Sequence, residues 1–356
     1  MKDQNLLKNL TLIVCSYQRH DYLKNLIKYW WDTEVSVIIL DNSKNELDLS
    51  FCKNKKIKID YMNCYNVNGF ERLKIANKRI KTKFVLLHHD DDVFLKSTLI
   101  KCIKFLIDKK EYVAIRGLEY DFWFKNKKIV GDLKRQISKN ESLLDKNFIN
   151  RKKKLMENFN SILIFSLIRV EAWKSSINFL KRNKLDYYHV WEIFFSFSIL
   201  YFGKVKVIKY PFILRNKINL PIRYNEKVDT PENNLFSFFR NTNEKQRNRI
   251  YKNFWLQKKK NSNKEIVINS LREDLLFFIQ KDYKNYKQKK NIIFMKNVYN
   301  KIRFAISHYY KNYKSNVNSN LNFLLKKSGI DKNEILIIDA HIKNNLYIFG
   351  NYLGKL

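Results

Sequence analysis

One run of side chains in this sequence has the types and spacing for metal or acid–base chemistry. It is His88-His89-Asp90-Asp91-Asp92, directly behind the apolar stretch Phe84–Leu87. Neighbouring carboxylates repel one another, so the run requires a compensating cation or full solvation. In an extended segment Asp90 and Asp92 share one side, because side chains alternate with period two. Two carboxylates so placed suit a hard divalent ion, Mn2+ or Mg2+, that keeps waters and completes its shell with phosphate oxygens. The same alternation sends His88 and His89 to opposite faces, so at most one imidazole can join the acids. The competing readings are an exposed acidic turn, or an N-cap for a helix that begins near Ser97.

These residues need a scaffold, and the first 120 residues supply one. Apolar runs at Leu12–Cys15, Val35–Leu40, Ile57–Tyr61 and Phe84–Leu87 read as strands. Between and after them, Asp21–Trp31, Glu71–Ile80 and Ser97–Lys109 read as helices. Strand and helix in this alternation predict an α/β domain with a mostly parallel central sheet. Such sheets bind ligands beyond the carboxyl ends of their strands. Ser16–Arg19, Asp41 and His88–Asp92 all fall there. Further on, Val113–Arg116 and Ile162–Ile168 read as strands, Arg169–Leu180 and Val190–Phe202 as helices, and Lys204–Ile208 as a strand after Gly203. Beyond residue 240 the pattern turns basic and helical, with Phe294, Val298, Ile302, Ala305 and Tyr309 at helical spacing in Asn291–Lys314. A late run, Ile335–Ile338, reads as one more strand.

Taken in order, four segments resemble one family. They are Thr11–Arg19, Val37–Ser43, the stretch from Asn68-Gly69 to Ala76-Asn77, and Phe84–Asp92. Together they are similar to the nucleotide-binding half of family 2-type glycosyltransferases with the GT-A (Rossmann-like) fold. The likeness continues through Ile162–Leu180 to Trp191-Glu192, which lies eleven residues before Gly203. It covers residues 10–215. It implies a GT-A domain over residues 1–240, with a nucleotide-sugar half at 1–120 and an acceptor half at 121–240. Residues 241–356 form a basic, mostly helical C-terminal region without a familiar counterpart.

The resemblance also implies roles. Ser16, Tyr17, Arg19, Asp41, Asn77, Asp90 and Asp91 would bind the donor, Asp41 meeting the base or ribose. Asp90 and Asp92 would hold Mn2+ or Mg2+ on the donor diphosphate. Glu192 would be the general base, with Asp186 as its rival because Trp191 stands where the family has a first acid. Beside these, the residue types themselves allow Trp191 to stack on an acceptor sugar, His189 to contact acceptor or phosphate, and Arg215 and Arg223 either to neutralise phosphate or to stand as solvated surface. The implied activity is metal-dependent, inverting transfer from a nucleotide-sugar, a UDP-sugar in the first instance. The acceptor would be a glycan or lipid-linked glycan of a bacterial cell-surface polysaccharide or glycoconjugate.

Composition bounds these expectations. The 356 residues include 70 Lys+Arg and 34 Asp+Glu, a formal charge of +36, with 45% hydrophobic and 15% aromatic residues. A chain so rich in apolar residues buries a core and is not disordered. With only 7 Gly and 3 Pro it is neither collagen-like nor a turn-dense all-β design. The four cysteines share no CxxC spacing, which speaks for a reducing cytosol and against a zinc knuckle. Met1–Leu12 lacks the pattern of a signal peptide, and Ile162–Ile168 and Ile193–Phe202 are shorter than the ~20 residues of a membrane span. The expected location is cytoplasmic, with peripheral contact at an anionic inner membrane face available to the basic helices. Residues 241–356 carry 24 Lys/Arg against 8 Asp/Glu, yet the excess runs through the whole chain. Two rivals stay open. A nucleotidyltransferase would also gather carboxylates around Mg2+, although its Gly-rich triphosphate loop is missing. A basic nucleic-acid-binding protein would show steeply salt-dependent affinity.

Overall fold

The computed structural model describes residues 4–125, 128–133, 142–157, 162–183, 188–216, 242–256, 267–273 and 319–353. Strands β1 (Leu10–Ser16), β2 (Ser36–Asp41), β3 (Lys58–Asn63) and β4 (Phe84–His89) pair in parallel in the order β3-β2-β1-β4. Helix α1 (His20–Trp30) links β1 to β2, and α2 (Gly69–Arg79) links β3 to β4. β1, β2 and β4 are buried along nearly their whole length, which is why each reads as an unbroken apolar run. Asn68 caps α2 by accepting the Glu71 amide at 2.9 Å. β1 has β2 on one side and β4 on the other, so the chain reverses its direction of winding there. The crevice beyond the carboxyl ends of β1 and β4 is the topological switch point, the place where open α/β sheets bind ligands.

The sheet continues past β4. β5 (Val93–Phe94) leads into α3 (Lys96–Asp108), then the long β6 (Tyr112–Lys125) and β7 (Lys128–Leu133). Helix α4 spans Phe148–Glu157, β8 is Leu167–Arg169, α5 is Val170–Arg182, α6 is Tyr188–Phe202, and β9 is Lys204–Asn216. The ten-stranded sheet runs β10-β7-β6-β8-β4-β1-β2-β3, with β9 beside β6 and β5, and β10 being Ser319–Asn320. Parallel ladders hold most of the paired residues, so the α/β class with a central sheet stands. β6 and β9 pair in parallel through register shifts around Gly117. A Cβ on Gly117 would lie 2.4 Å from the Tyr210 carbonyl oxygen, so the irregularity requires glycine. β5 in turn pairs with β9, Val93 opposite Leu214, which brings Arg215 beside Asp92.

Two expectations about elements need correction. Ile162–Ile168 is not one strand: a 3-10 turn occupies Ile162–Phe165 before the short β8. Ile335–Ile338 is not a strand but part of helix α9 (Lys332–Leu353), which follows α7 (Glu244–Leu256) and α8 (Leu321–Lys327). Within α9, Ile335, Ile338 and Ile342 are buried while Leu336 and Ile337 are exposed, which is helical spacing. The stretch Asn291–Lys314 lies outside the described residues.

The chain forms two compact units. One compact unit contains residues 1–184, 192–222 and 319–356, and the other 185–191 and 223–318. In the first unit the C-terminal segment joins the sheet core through Leu321, Leu325, Ile330, Ile335, Ile338 and Ile342. Gly329, at φ +76°, turns the chain between α8 and α9. α9 lies on α1, where Asn25 Nδ2 donates to Asn345 Oδ1 (2.7 Å) and to the His341 carbonyl (3.1 Å). In the second unit Ile250, Tyr251, Phe254, Val267 and Leu271 are buried, and Arg272 Nη2 donates to Asn248 Oδ1 at 2.7 Å. All four cysteines are free. Among the described residues no helix is long and apolar enough to cross a membrane.

His341 packs on Tyr29 with ring centroids 5.0 Å apart, and burial pushes its pKa down to about 3, with His88 and Lys96 adding repulsion. Burial likewise pushes His88 down to about 4. A histidine whose folded pKa lies below its unfolded value of about 6.5 contributes full stability above that value. That contribution drains as pH falls towards the folded pKa. Urea midpoints of the full chain should therefore drop between pH 6.5 and 4, and His341→Gln should flatten part of that slope. An unchanged slope would show that His341 is not buried as the neutral base.

Candidate active site

The acidic run forms a turn, not an extension of β4. β4 ends at His89, and Asp90 and Asp91 bend before Asp92 enters β5. The expected sharing of one side by Asp90 and Asp92 therefore fails, and each acid meets a different cation. Asp90 Oδ2 accepts from Ser16 Oγ at 2.7 Å, and Asp90 Oδ1 pairs with Arg19 Nη1 at 2.8 Å. The other arm of that guanidinium, Nη2, holds Asp91 Oδ2 at 3.0 Å. Arg19 also lies over the Tyr22 ring, 4.7 Å from its centroid. Asp92 turns to the opposite wall. Its Oδ2 pairs with His89 Nδ1 (3.1 Å) and Arg215 Nη1 (3.3 Å), and its Oδ1 accepts from the Asn216 amide at 3.2 Å.

The two outer acids are tuned in opposite directions. Burial raises the Asp90 carboxyl to about 6 against the pull of Arg19. Burial opposes ionisation of Asp92 as well, but Arg215 and His89 overcome it and hold its carboxyl well below the usual range. Burial opposes charging of His89, and the Asp92 contact nevertheless lifts it above its ordinary value. His88 faces the other way, edge-on to Phe94 at 4.9 Å and to Trp30 at 6.2 Å. The alternation of the two histidines is as the strand period requires, and His89 is the one that meets the acids.

One ligand atom each from His89, Asp91 and Asp92 lies within 4.8 Å of the others. Two carboxylates and an imidazole fit a divalent ion such as Mn2+. Asp90 is not part of this group; its two oxygens meet Ser16 and Arg19. The ligand pair expected from the sequence is Asp90 with Asp92, and the group that converges here shares Asp92 with it and adds Asp91 and His89.

Residues not singled out by sequence build the walls. Phe165 lies edge-on to His89 at 4.8 Å and beneath the Arg215 guanidinium at 4.1 Å. Arg215 Nε reaches Glu119 Oε1 at 2.9 Å, and Glu119 Oε2 lies 3.6 Å from Arg116 Nη2. Arg72, on α2, donates from Nη1 to the carbonyls of Ser16 (2.8 Å) and Leu40 (3.0 Å), tying the ends of β1 and β2 together. An acid in the middle of an apolar strand, as at Leu118-Glu119-Tyr120, is the sequence signal that marks Glu119. Arg72 and Phe165 carry no such mark.

The remaining expected residues fall as follows. Asp41 is wholly buried, and its oxygens accept from Ser43 Oγ (2.7 Å), Tyr61 OH (2.9 Å) and His20 Nε2 (2.7 Å). A direct contact between Asp41 and a ligand does not fit that arrangement. Burial keeps the Tyr61 phenol protonated, its pKa pushed up to about 12. Asn77 Nδ2 donates to Asn178 Oδ1 at 3.3 Å, joining α2 to α5. Tyr17 is exposed at the rim. Glu192 and Trp191 are both buried, and α6 is already helical at Tyr188, a turn before Glu192. Asp186, Arg223 and the His189 side chain lie outside the described residues.

No protein-family model matches the sequence, and no curated protein matches it. Among solved structures it is similar to S. aureus TarS 1-349, with a TM-score of 0.48 and 13% identity over 76% of this chain and 72% of that one. The same TarS fragment in complex with UDP-GlcNAc gives a TM-score of 0.49 and 14% identity over 75% and 71%. The α/β class rests on the sheet described above.

Glu119 stands between Arg116 and Arg215, and both Arg116 and Glu119 are buried. Removing one partner from a buried ion pair typically costs about 3–5 kcal/mol. Glu119→Gln should therefore lower the unfolding free energy by about 3 kcal/mol in a guanidinium titration. A loss below about 1 kcal/mol would mean that the network does not hold the wall of the site.

Proposed function

We propose that this chain is a metal-dependent, inverting glycosyltransferase that takes its sugar from a nucleotide-sugar, a UDP-sugar. The observation that carries the reading is the acidic turn at the switch point, where His89, Asp91 and Asp92 converge between Arg19 and Arg215. A divalent ion held by these three residues would supply positive charge against a diphosphate leaving group. The residues of the chain do the rest. Arg19 and Arg215 carry fixed charge on either side of the turn, where phosphate oxygens would compete for them. Ser16 and Arg19 restrain Asp90, so the turn keeps its shape whether or not the neighbouring acids are engaged.

In the reaction, an acceptor hydroxyl oxygen forms a bond to the anomeric carbon while the bond from that carbon to the phosphate oxygen breaks. The nucleoside diphosphate departs with the electron pair, and the hydroxyl proton passes to a carboxylate base. Displacement from the opposite side inverts the anomeric centre. Glu192 is the proposed base, with Asp186 as the alternative, and Trp191 and His189 are proposed on the acceptor side. A base in this role must come within hydrogen-bond reach of the hydroxyl. The proposed acceptor is a glycan or lipid-linked glycan, with peripheral membrane contact through the basic helices.

Calorimetric titration of UDP into the full chain, with and without Mn2+, tests the reading. UDP should bind in the presence of Mn2+, and Asp92→Asn should weaken binding by about 100-fold or more while the circular dichroism stays native. Failure of UDP, GDP and CDP alike to bind in the presence of metal would remove the proposal.

A further inference from the structure

The carboxylate at the end of β2 is buried, yet it is not idle. Asp41 orients His20, which is 27% exposed and opens α1 just after the β1 loop. A carboxylate oxygen accepts and does not donate, so the proton between Asp41 Oδ2 and His20 lies on Nε2. Tyr61 OH occupies the same oxygen and Ser43 Oγ the other, so the carboxylate is fixed from three sides. In its neutral form the ring presents Nδ1 as a lone-pair acceptor.

The surrounding loops are knitted together. Gln18, at φ 53°, donates its amide to Ser43 Oγ at 3.0 Å, and the Asn66 amide donates to Asn42 Oδ1 at 2.7 Å. The neighbours of these two anchors are Tyr17 and Tyr65, which are 36% and 48% exposed. Two exposed aromatic residues thus sit next in sequence to the residues anchored on the Asn42-Ser43 loop, one after β1 and one after β3. Aromatic faces beside a polar reader are the usual means of holding a flat heterocycle.

We propose that His20 is the residue that reads the nucleobase of the donor, with Asp41 as its positioning residue and Tyr17 and Tyr65 as the aromatic border. The inference rests on the donor reading above. An acceptor at Nδ1 matches a base whose ring nitrogen carries a hydrogen, and uracil N3–H is the match for a UDP-sugar.

The test is a cycle measured by calorimetry on the full chain with Mn2+, using UDP and N3-methyl-UDP against wild type and His20→Ala. Methylation removes the donor without touching the protein, so this arm does not depend on the folding of a variant. Wild type should bind N3-methyl-UDP about tenfold more weakly than UDP, the loss of roughly one hydrogen bond. His20→Ala should weaken UDP by a similar factor and bind the two ligands equally. An undiminished preference for UDP in His20→Ala, or equal binding of both ligands by wild type, would overturn the assignment and leave the donor reading standing. Absence of UDP binding to wild type would overturn both.

Discussion

Three consecutive carboxylates at the end of a buried strand must be compensated, and the structure around the switch point is organised by that requirement. A buried charge without a partner costs several kcal/mol. Arg19 answers Asp90 and Asp91 from the first loop, while Arg215 answers Asp92 from the last strand of the sheet. The two arginines are far apart in sequence and approach the turn from opposite walls. Neither could do so without the sheet. β1 delivers Ser16 and Arg19, and the β5–β9 pairing delivers Arg215 and Asn216.

This arrangement creates a gradient of availability along the turn. Asp90 is committed to the protein, since Ser16 and Arg19 hold both of its oxygens. Asp91, 19% exposed, is the open member. Asp92 is buried but keeps its charge because Arg215 and His89 stand beside it. A second polar cluster, His20, Asp41, Ser43 and Tyr61, lies beyond β2 and is joined to the first through Gln18 and Arg72. The acidic turn at the end of β4 and this second cluster at the end of β2 thus flank β1 in one sheet.

Much of this scaffold is legible in the sequence because fully buried parallel strands read as continuous apolar runs. β1, β2 and β4 are visible for that reason, and so is the cluster of polar residues at their carboxyl ends. The roles of Asp90 and Asp91 are not legible, because period-two alternation holds only while the chain stays extended, and it bends at Asp90. Asp41 reads as a ligand contact, and its partners distant in sequence, His20 and Tyr61, become visible only in the fold. Ile335–Ile338 satisfies a strand pattern locally, but the spacing of Ile335, Ile338 and Ile342 across a longer window gives the helix. The return of residues 319–353 to the first unit depends on packing against α1, such as Asn25 with Asn345, and no local pattern encodes it.

We propose that the turn holds a cation through His89, Asp91 and Asp92 while Asp90 serves the fold. Electron paramagnetic resonance of Mn2+ titrated into the full chain measures this directly, since bound ion removes the free-ion signal. The account predicts one Mn2+ site per chain that Asp91→Asn and His89→Ala weaken strongly and Asp90→Asn leaves nearly intact. Mn2+ binding that depends on Asp90 as much as on Asp91, or no binding at all, would contradict it.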